Sequence, residues 1–224
     1  MTIDRNSGHR ERLRARLLEN PASLAPYEVL ELVLMIAVPR RDVKPLAKGM
    51  IAKFGDFSGV VRADPAALIG TVGVGETVAA AIKSIEAACI LMLRTDACKK
   101  SVISDWSSLL NYCRISIGGK TTEEFHVLYL NTKCMLIKDE VHSTGTINSS
   151  SVYPREILKS VLELGAASVI LVHNHPTGDV SPSKADVDIT RRVAGTLAAV
   201  DVPVHDHLII GDSDVASFNA LGLL

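Results

Sequence analysis

Cysteine is scarce and scattered in this 224-residue sequence: Cys89, Cys98, Cys113 and Cys134 form no CxxC pair. That spacing excludes a disulfide framework and a zinc cluster built on thiolates. Long apolar runs are missing too. The longest, Ala87–Leu93 and Val169–Val172 with their flanks, fall far short of the roughly 20 residues that cross a bilayer. The opening MTIDRNSGHRERLRARL has no apolar stretch of the secretory kind. No membrane is therefore expected as a partner, and the expected location is cytoplasmic. Net charge is nearly absent as well: 24 Lys+Arg against 25 Asp+Glu leave −1, so the whole chain exerts no pull toward nucleic acid. There is no internal repeat and no low-complexity segment. What the chain does have is 47% hydrophobic residues, which excludes disorder and supplies a sizeable core.

The small net charge hides a split. Residues 1–100 carry 15 Lys+Arg against 11 Asp+Glu, a net of +4, and residues 101–224 carry 9 against 14, a net of −5. The patterning splits at the same place. Helical spacing runs through Arg10–Glu19, Tyr27–Ala37 after Pro26, Val43–Phe54 closed by Gly55, a short helix opened by Asp64-Pro65, and Glu76–Leu93. No strand pattern precedes about residue 100. After a mixed passage with one helix around Trp106–Arg114, the period changes. Phe125–Leu130 and Cys134–Val141 read as a hairpin turning at Asn131-Thr132-Lys133. A helix over Pro154–Leu164, a buried strand over Ser168–His173, a helix over Lys184–Val200 and a strand over Val202–Gly211 follow. The expectation is an α/β domain over residues 102–224 behind an all-helical one over residues 1–98.

The densest chemistry is His173-Asn174-His175-Pro176-Thr177-Gly178, followed by Ser183 and Asp186. Histidines at i and i+2 at a strand end share one face, so both rings can reach one metal ion. Asp186 arrives from the next helix as an oxygen ligand. A His₂Asp set leaves a fourth tetrahedral position for water, the mark of a catalytic zinc site. Zinc lowers the pKa of that water toward 7 and polarises a carbonyl, and a base must still move the proton. Glu140, on the strand ending DEV, is the candidate base. Ser183 and Asp186 also fit the S-x-x-[DE] capping box, a competing use of both side chains. An Asp186 on zinc is expected to be lost to the cap. His207, alternating with His205 on the last strand, reads as a supporting or structural residue.

Glu140, His173-x-His175, Ser183 and Asp186 together resemble the JAMM (MPN+) metallohydrolase motif. The passage DEVHSTGTI…VYPREIL…ILVHNHPTGDVSPSKAD is similar to the bacterial RadC-like family, long labelled DNA repair proteins, and the likeness extends from FHVLYLNTK to HDHLIIG and SFNALGLL. The resemblance implies an MPN/JAB, cytidine-deaminase-like α/β sandwich for the second domain. It implies one Zn²⁺ per chain on His173, His175 and Asp186, with Glu140 as general acid–base and Ser183 donating to the developing oxyanion. The reaction implied is hydrolysis of a peptide, isopeptide or other amide bond by metal-activated water. The alternative is a module that binds DNA or a repair protein and uses its zinc site mainly for structure. Contiguous His-Asn-His does not make an HNH nuclease, whose residues spread over a longer unit, and the Pro-Cys-x-x-Cys of zinc deaminases is missing.

In the first half, Leu68-Ile69-Gly70-Thr71-Val72-Gly73-Val74-Gly75-Glu76 resembles a helix-hairpin-helix, with Gly73 and Gly75 permitting the tight turn. The implied role is sequence-independent contact with a DNA phosphate at the helix start. Arg40, Arg41, Lys44, Lys48 and Lys53 lie near it in sequence, while Glu76 opposes it. No strand precedes these glycines, so they do not form a nucleotide-binding GxGxxG loop.

Overall fold

The computed structural model of the protein describes residues 5–99, 101–102, 104–145, 152–211 and 214–224. Residues 146–151, within the motif passage quoted above, lie outside these. The chain divides into two compact units, residues 1–88 and 89–224.

The first unit is a helical region: α1 (Arg5–Glu19), α2 (Pro26–Ala37), α3 (Lys44–Phe54), α4 (Phe57–Arg62), α5 (Pro65–Ile69) and the first part of α6 (Glu76–Lys99). Local chemistry sets the starts. Pro26 occupies the first turn of α2, where its missing N–H costs nothing, and the Glu28 carboxylate accepts from the Ala25 N–H at 2.9 Å. Asp56 and Asp64 cap α4 and α5 by accepting from the N–H groups of Gly59 and Ala66. Leu13, Leu30, Leu34, Met50, Leu68 and Ile82 form the core. α4 was not legible in the sequence, because six residues are too few to show a period. At the hairpin before α6, Gly73 takes φ +89°, a left-handed conformation that favours glycine, whereas Gly75 has no positive φ. Only one of the two glycines is required by the turn.

The second unit is a mixed α/β sheet domain. Its elements are the end of α6, α7 (Trp106–Ser116), β1 (Glu124–Leu130), β2 (Leu136–Thr144), α8 (Pro154–Leu164), β3 (Ser168–Asn174), α9 (Lys184–Ala198), β4 (Val204–Ile210) and β5 (Val215–Ser217). The sheet order is β2-β1-β3-β4-β5, with β3 and β4 parallel and the other pairs antiparallel. β5, three residues long, is too short to announce itself by alternation. The β1–β2 turn runs to Met135, further than the sequence suggested. Cys134 adopts φ +55°, and the Asn131 side chain accepts from the N–H groups of Lys133 and Met135, so β2 begins only at Leu136.

Each sheet face buries its own cluster. Phe125, Val127, Tyr129, Val169 and Leu171 pack with Ile157 and Val161 of α8 and Ile189, Val193 and Leu197 of α9. Leu128, Leu130, Ile170, Val172, Leu208 and Ile210 pack with Leu109, Tyr112 and Cys113 of α7. β3 is buried on both faces, as its unbroken apolar run requires. The α7 face also holds a polar network. Tyr112 Oη donates to Asp139 at 2.6 Å, and His126 bridges Asp139 at 2.8 Å and Glu124 at 2.9 Å. Burial pushes the Asp139 carboxyl up, but hydrogen bonds from His126 and Tyr112 outweigh it and hold the group below its ordinary range.

Candidate metal centre

Alternation along β3 decides the site. Val169, Leu171 and His173 point to the α8/α9 face, and Asn174 points to the other. His175, one residue past the strand, returns to the first. β1 pairs with β3 so that Phe125 faces His173. Two residues before Phe125, Glu123 therefore reaches the same face at the same end of the sheet. α9 closes the group from above with Asp186 in its first turn.

The distances are short. His173 Nε2 and His175 Nε2 lie 3.0 Å apart. Asp186 Oδ1 is 3.3 Å from His173 Nε2, and its Oδ2 is 3.8 Å from His175 Nε2. Glu123 Oε1 is 3.9 Å from His175 Nε2. Glu123, His173 and His175 form a group that could hold a metal ion. The other nitrogen of each ring is occupied. His175 Nδ1 lies 2.5 Å from the Asp179 carbonyl, which can only accept, so Nδ1 carries hydrogen. His173 Nδ1 lies 2.8 Å from His207 Nε2. Where His173 Nδ1 likewise donates, the two Nε2 atoms face each other as lone pairs unless a ring carries a second proton. Two lone pairs at 3.0 Å, flanked by carboxylates, need a cation between them, a proton or a metal ion. The donor set therefore fits zinc, whose usual ligands are imidazole nitrogen and carboxylate oxygen.

Residues 103–223 match the family described as RadC-like JAB domain. The chain belongs to the RadC-like JAB family. The UPF0758 protein of Ruegeria pomeroyi is 46% identical over 217 residues, which are 96% of this chain and 97% of that protein. The RadC-like match begins within a few residues of the start of α7 and contains every strand of the sheet.

In this RadC-like chain, not every expected site residue arrives at the centre. Glu140 lies on β2 opposite Val127, which in turn faces Leu171. Two strand spacings and a two-residue offset put its backbone about 12 Å from that of His173. Its carboxylate is held by Lys138 at 2.8 Å, with His142 at 3.5 Å. Partial burial raises its pKa, but hydrogen bonds from Lys138 and Ser160 outweigh that and lower it. A general base poised for neutral pH needs the opposite shift. Glu123 was missed because it gives no signal along the chain. Its position depends on β1 pairing with β3, which are separated by β2 and α8.

The contest between capping and metal ligation resolves differently from the sequence reading. Asp186 is not lost to the cap. Its Oδ2 accepts from the Ser183 N–H at 2.7 Å, while its Oδ1 faces His173. One oxygen of the carboxylate caps the helix and the other is left facing His173. Ser183 Oγ accepts from the Asp186 N–H at 3.2 Å, which leaves its own hydrogen for another acceptor. Asn174, between the two histidines, has a role the sequence did not suggest. Fully buried, it accepts from the Glu124 N–H at 2.8 Å and donates to the carbonyls of Lys120 and Thr122 at 3.2 and 3.1 Å. It clamps the segment that carries Glu123.

Burial lowers the pKa of His173, with Asp186 opposing and His175 adding to the effect. Burial lowers that of His207 too, helped by His173 and His175. The unfolded chain therefore binds more protons once the pH drops below about 6.5. Stability of the metal-free protein should be intact above that pH and fall below it, by up to about 1.4 kcal/mol per pH unit for each ring. Urea unfolding in chelator at pH 7.5 and 5.5 measures this. Equal stabilities at the two pH values would contradict it.

Proposed function

We propose that this protein is a zinc-dependent hydrolase of amide bonds, with one Zn²⁺ per chain held by His173, His175 and Asp186. The observation that carries this reading is the pair of imidazole Nε2 atoms 3.0 Å apart, with the carboxylates of Asp186 and Glu123 beside them. Family membership supports it, since the JAMM resemblance implies the same reaction class. When bound there, zinc supplies Lewis acidity, lowering the pKa of water and polarising the scissile carbonyl. The chain's own residues do the rest. Glu123, at the edge of the site, takes a proton from the attacking water and returns it to the leaving amine. This is the role the sequence assigned to Glu140. Ser183, at the start of α9, has its hydrogen available for the oxygen of the tetrahedral intermediate. Peptide, isopeptide and other amide substrates all suit this arrangement.

The test compares Glu123→Gln with Glu140→Gln in zinc-loaded protein, against a panel of fluorogenic peptide amides and a lysine isopeptide. Glu123→Gln should keep its zinc and lose turnover by about 10²- to 10⁴-fold. Glu140→Gln should change neither by more than a few-fold. The reverse pattern would return the role to Glu140, and turnover unaffected by either would remove the enzyme reading.

A second observation, in the first unit, favours contact with nucleic acid. Arg41, Lys53, Gly70, Thr71 and Gly73 line a groove of about 590 Å³ beside the glycine hairpin. The Lys53 ammonium is positioned there by Thr71 Oγ1 at 2.7 Å and the Ala67 carbonyl at 3.2 Å. We propose that this helix-hairpin-helix-like groove takes a DNA phosphate without reading sequence. DNA affinity measured by anisotropy should fall with rising salt, and Lys53→Ala should flatten that slope by about 0.9, one phosphate contact. Affinity insensitive to salt would rule the contact out.

A further inference from the structure

Thr190 sits one helical turn after Asp186 on α9, and its hydroxyl bonds to the Asp186 backbone carbonyl and to the His207 ring. We infer that Thr190, acting through His207, sets the tautomer in which His173 offers its Nε2 lone pair to the metal centre. This makes Thr190 and His207 positioning residues of the site. The inference rests on the metal-site reading above for its purpose, and on hydrogen-bond directions for its substance.

The directions follow from a backbone carbonyl at the end of this relay, which has no choice. Thr190 Oγ1 lies 2.5 Å from the backbone carbonyl of Asp186, which can only accept. The single hydroxyl hydrogen is used there. Toward its second partner, His207 Nδ1 at 2.6 Å, Thr190 Oγ1 can therefore only accept, so His207 Nδ1 carries hydrogen. The His207 ring is completely buried, between the rings of Phe125 and Phe218, with His173 as its other polar neighbour. The carboxylate bonded to His207, that of Asp206, takes its backbone N–H at 2.8 Å and not its ring, so the completely buried ring is neutral and its Nε2 is a lone pair. That lone pair accepts from His173 Nδ1 at 2.8 Å. With its Nδ1 hydrogen committed to His207, His173 turns its Nε2 toward His175 and Asp186. Three buried hydrogen bonds thus carry a fixed direction from a helix carbonyl to the metal centre. A second-layer partner that fixes a histidine tautomer is a general device for raising metal affinity.

Removing the hydroxyl reverses the direction. In Thr190→Val the shape is kept, but His207 Nδ1–H would be a buried donor with no acceptor. The ring relieves this by moving its hydrogen to Nε2, where it donates to His173 Nδ1. His173 must then carry its own hydrogen on Nε2, the atom that should hold metal. Thr190→Ser restores an acceptor at the same place.

Two measurements on the full chain test this. Long-range ¹H–¹⁵N spectra of metal-free protein report each histidine's tautomer, with no metal or substrate involved. The expected result is Nδ1–H for both His173 and His207 in wild type and in Thr190→Ser, and Nε2–H for both in Thr190→Val. Zinc affinity by chelator competition should fall about 10- to 100-fold in Thr190→Val and stay near wild type in Thr190→Ser. Nε2–H on His173 in the wild-type protein overturns the inference, even if Thr190→Val does not fold. So does zinc affinity unchanged in a folded Thr190→Val. The expected tautomers in a wild-type protein that takes up no zinc would keep the relay and remove the metal reading instead.

Discussion

Zinc at a hundredfold excess over its dissociation constant should raise the melting temperature of the wild-type protein by about 5–10 °C, and that of His175→Ala not at all. The size follows from linkage. A ligand at 100 times its dissociation constant, bound only by the folded state, stabilises by about 2.7 kcal/mol. In chains of this length each kcal/mol moves the midpoint by about 2–4 °C. His175 is the right residue to remove because it lies beyond the end of β3 and is part-buried, so alanine there leaves little cavity. His173 is fully buried against Phe125 and His207, and its loss would confound ligation with packing. A zinc-dependent shift that survives in His175→Ala would place the bound ion elsewhere. No shift in wild type would dispose of the metal centre.

The second large effect is structural. Phe125→Ala should destabilise the protein by about 3–5 kcal/mol, a large part of the 5–15 kcal/mol that holds most domains folded. Phe125 is completely buried in the cluster between the sheet and α8 and α9. Its ring stacks on His173, with centroids 6.1 Å apart and planes at 15°, and meets the His207 ring edge-on at 5.5 Å. Aromatic pairs of this kind contribute about 0.5–1.5 kcal/mol beyond simple burial. One residue therefore serves both the core and the alignment of the histidines. Urea titration of chelated protein measures the first role, and zinc affinity the second. Phe125→Leu, which refills most of the space but has no ring face, should recover most of the stability and less of the zinc affinity. A loss below about 1 kcal/mol in Phe125→Ala would mean the cluster relaxes around the gap.

What the sequence disclosed follows from how each residue is positioned. The His173 and His175 pair was legible because strand alternation is local: i and i+2 share a face wherever the strand lies. Helix starts at Pro26 and Ser183, and the end of α8 at the left-handed Gly165, were legible for the same reason. Glu123 and Glu140 could not be told apart that way. Glu123 lies just before β1 and Glu140 in the middle of β2, and only the Phe125–His173 register, a contact across 48 residues of chain, favours the first. Asp186 was read as having to choose between zinc and the helix start, because a motif letter does not say which oxygen is used. Thr190 drew no notice, since a threonine inside a helix ordinarily bonds back to its own turn. Here it does that and accepts from a histidine as well.

The Asn174 clamp makes the two ends of the sheet unequal in what they can absorb. A single residue added between Glu123 and Phe125 would turn Glu123 to the opposite face and displace the Lys120 and Thr122 carbonyls from Asn174. The β1–β2 turn at Asn131–Met135 lies at the far end of the same strands, held by its own asparagine and by the Val102 N–H, which donates to the Cys134 carbonyl at 2.8 Å. Extra length inserted there would leave the histidine end in register. A fluorescent reporter, an affinity tag or a grafted recognition loop belongs at that turn, where it can be read out without disturbing the chemistry under study.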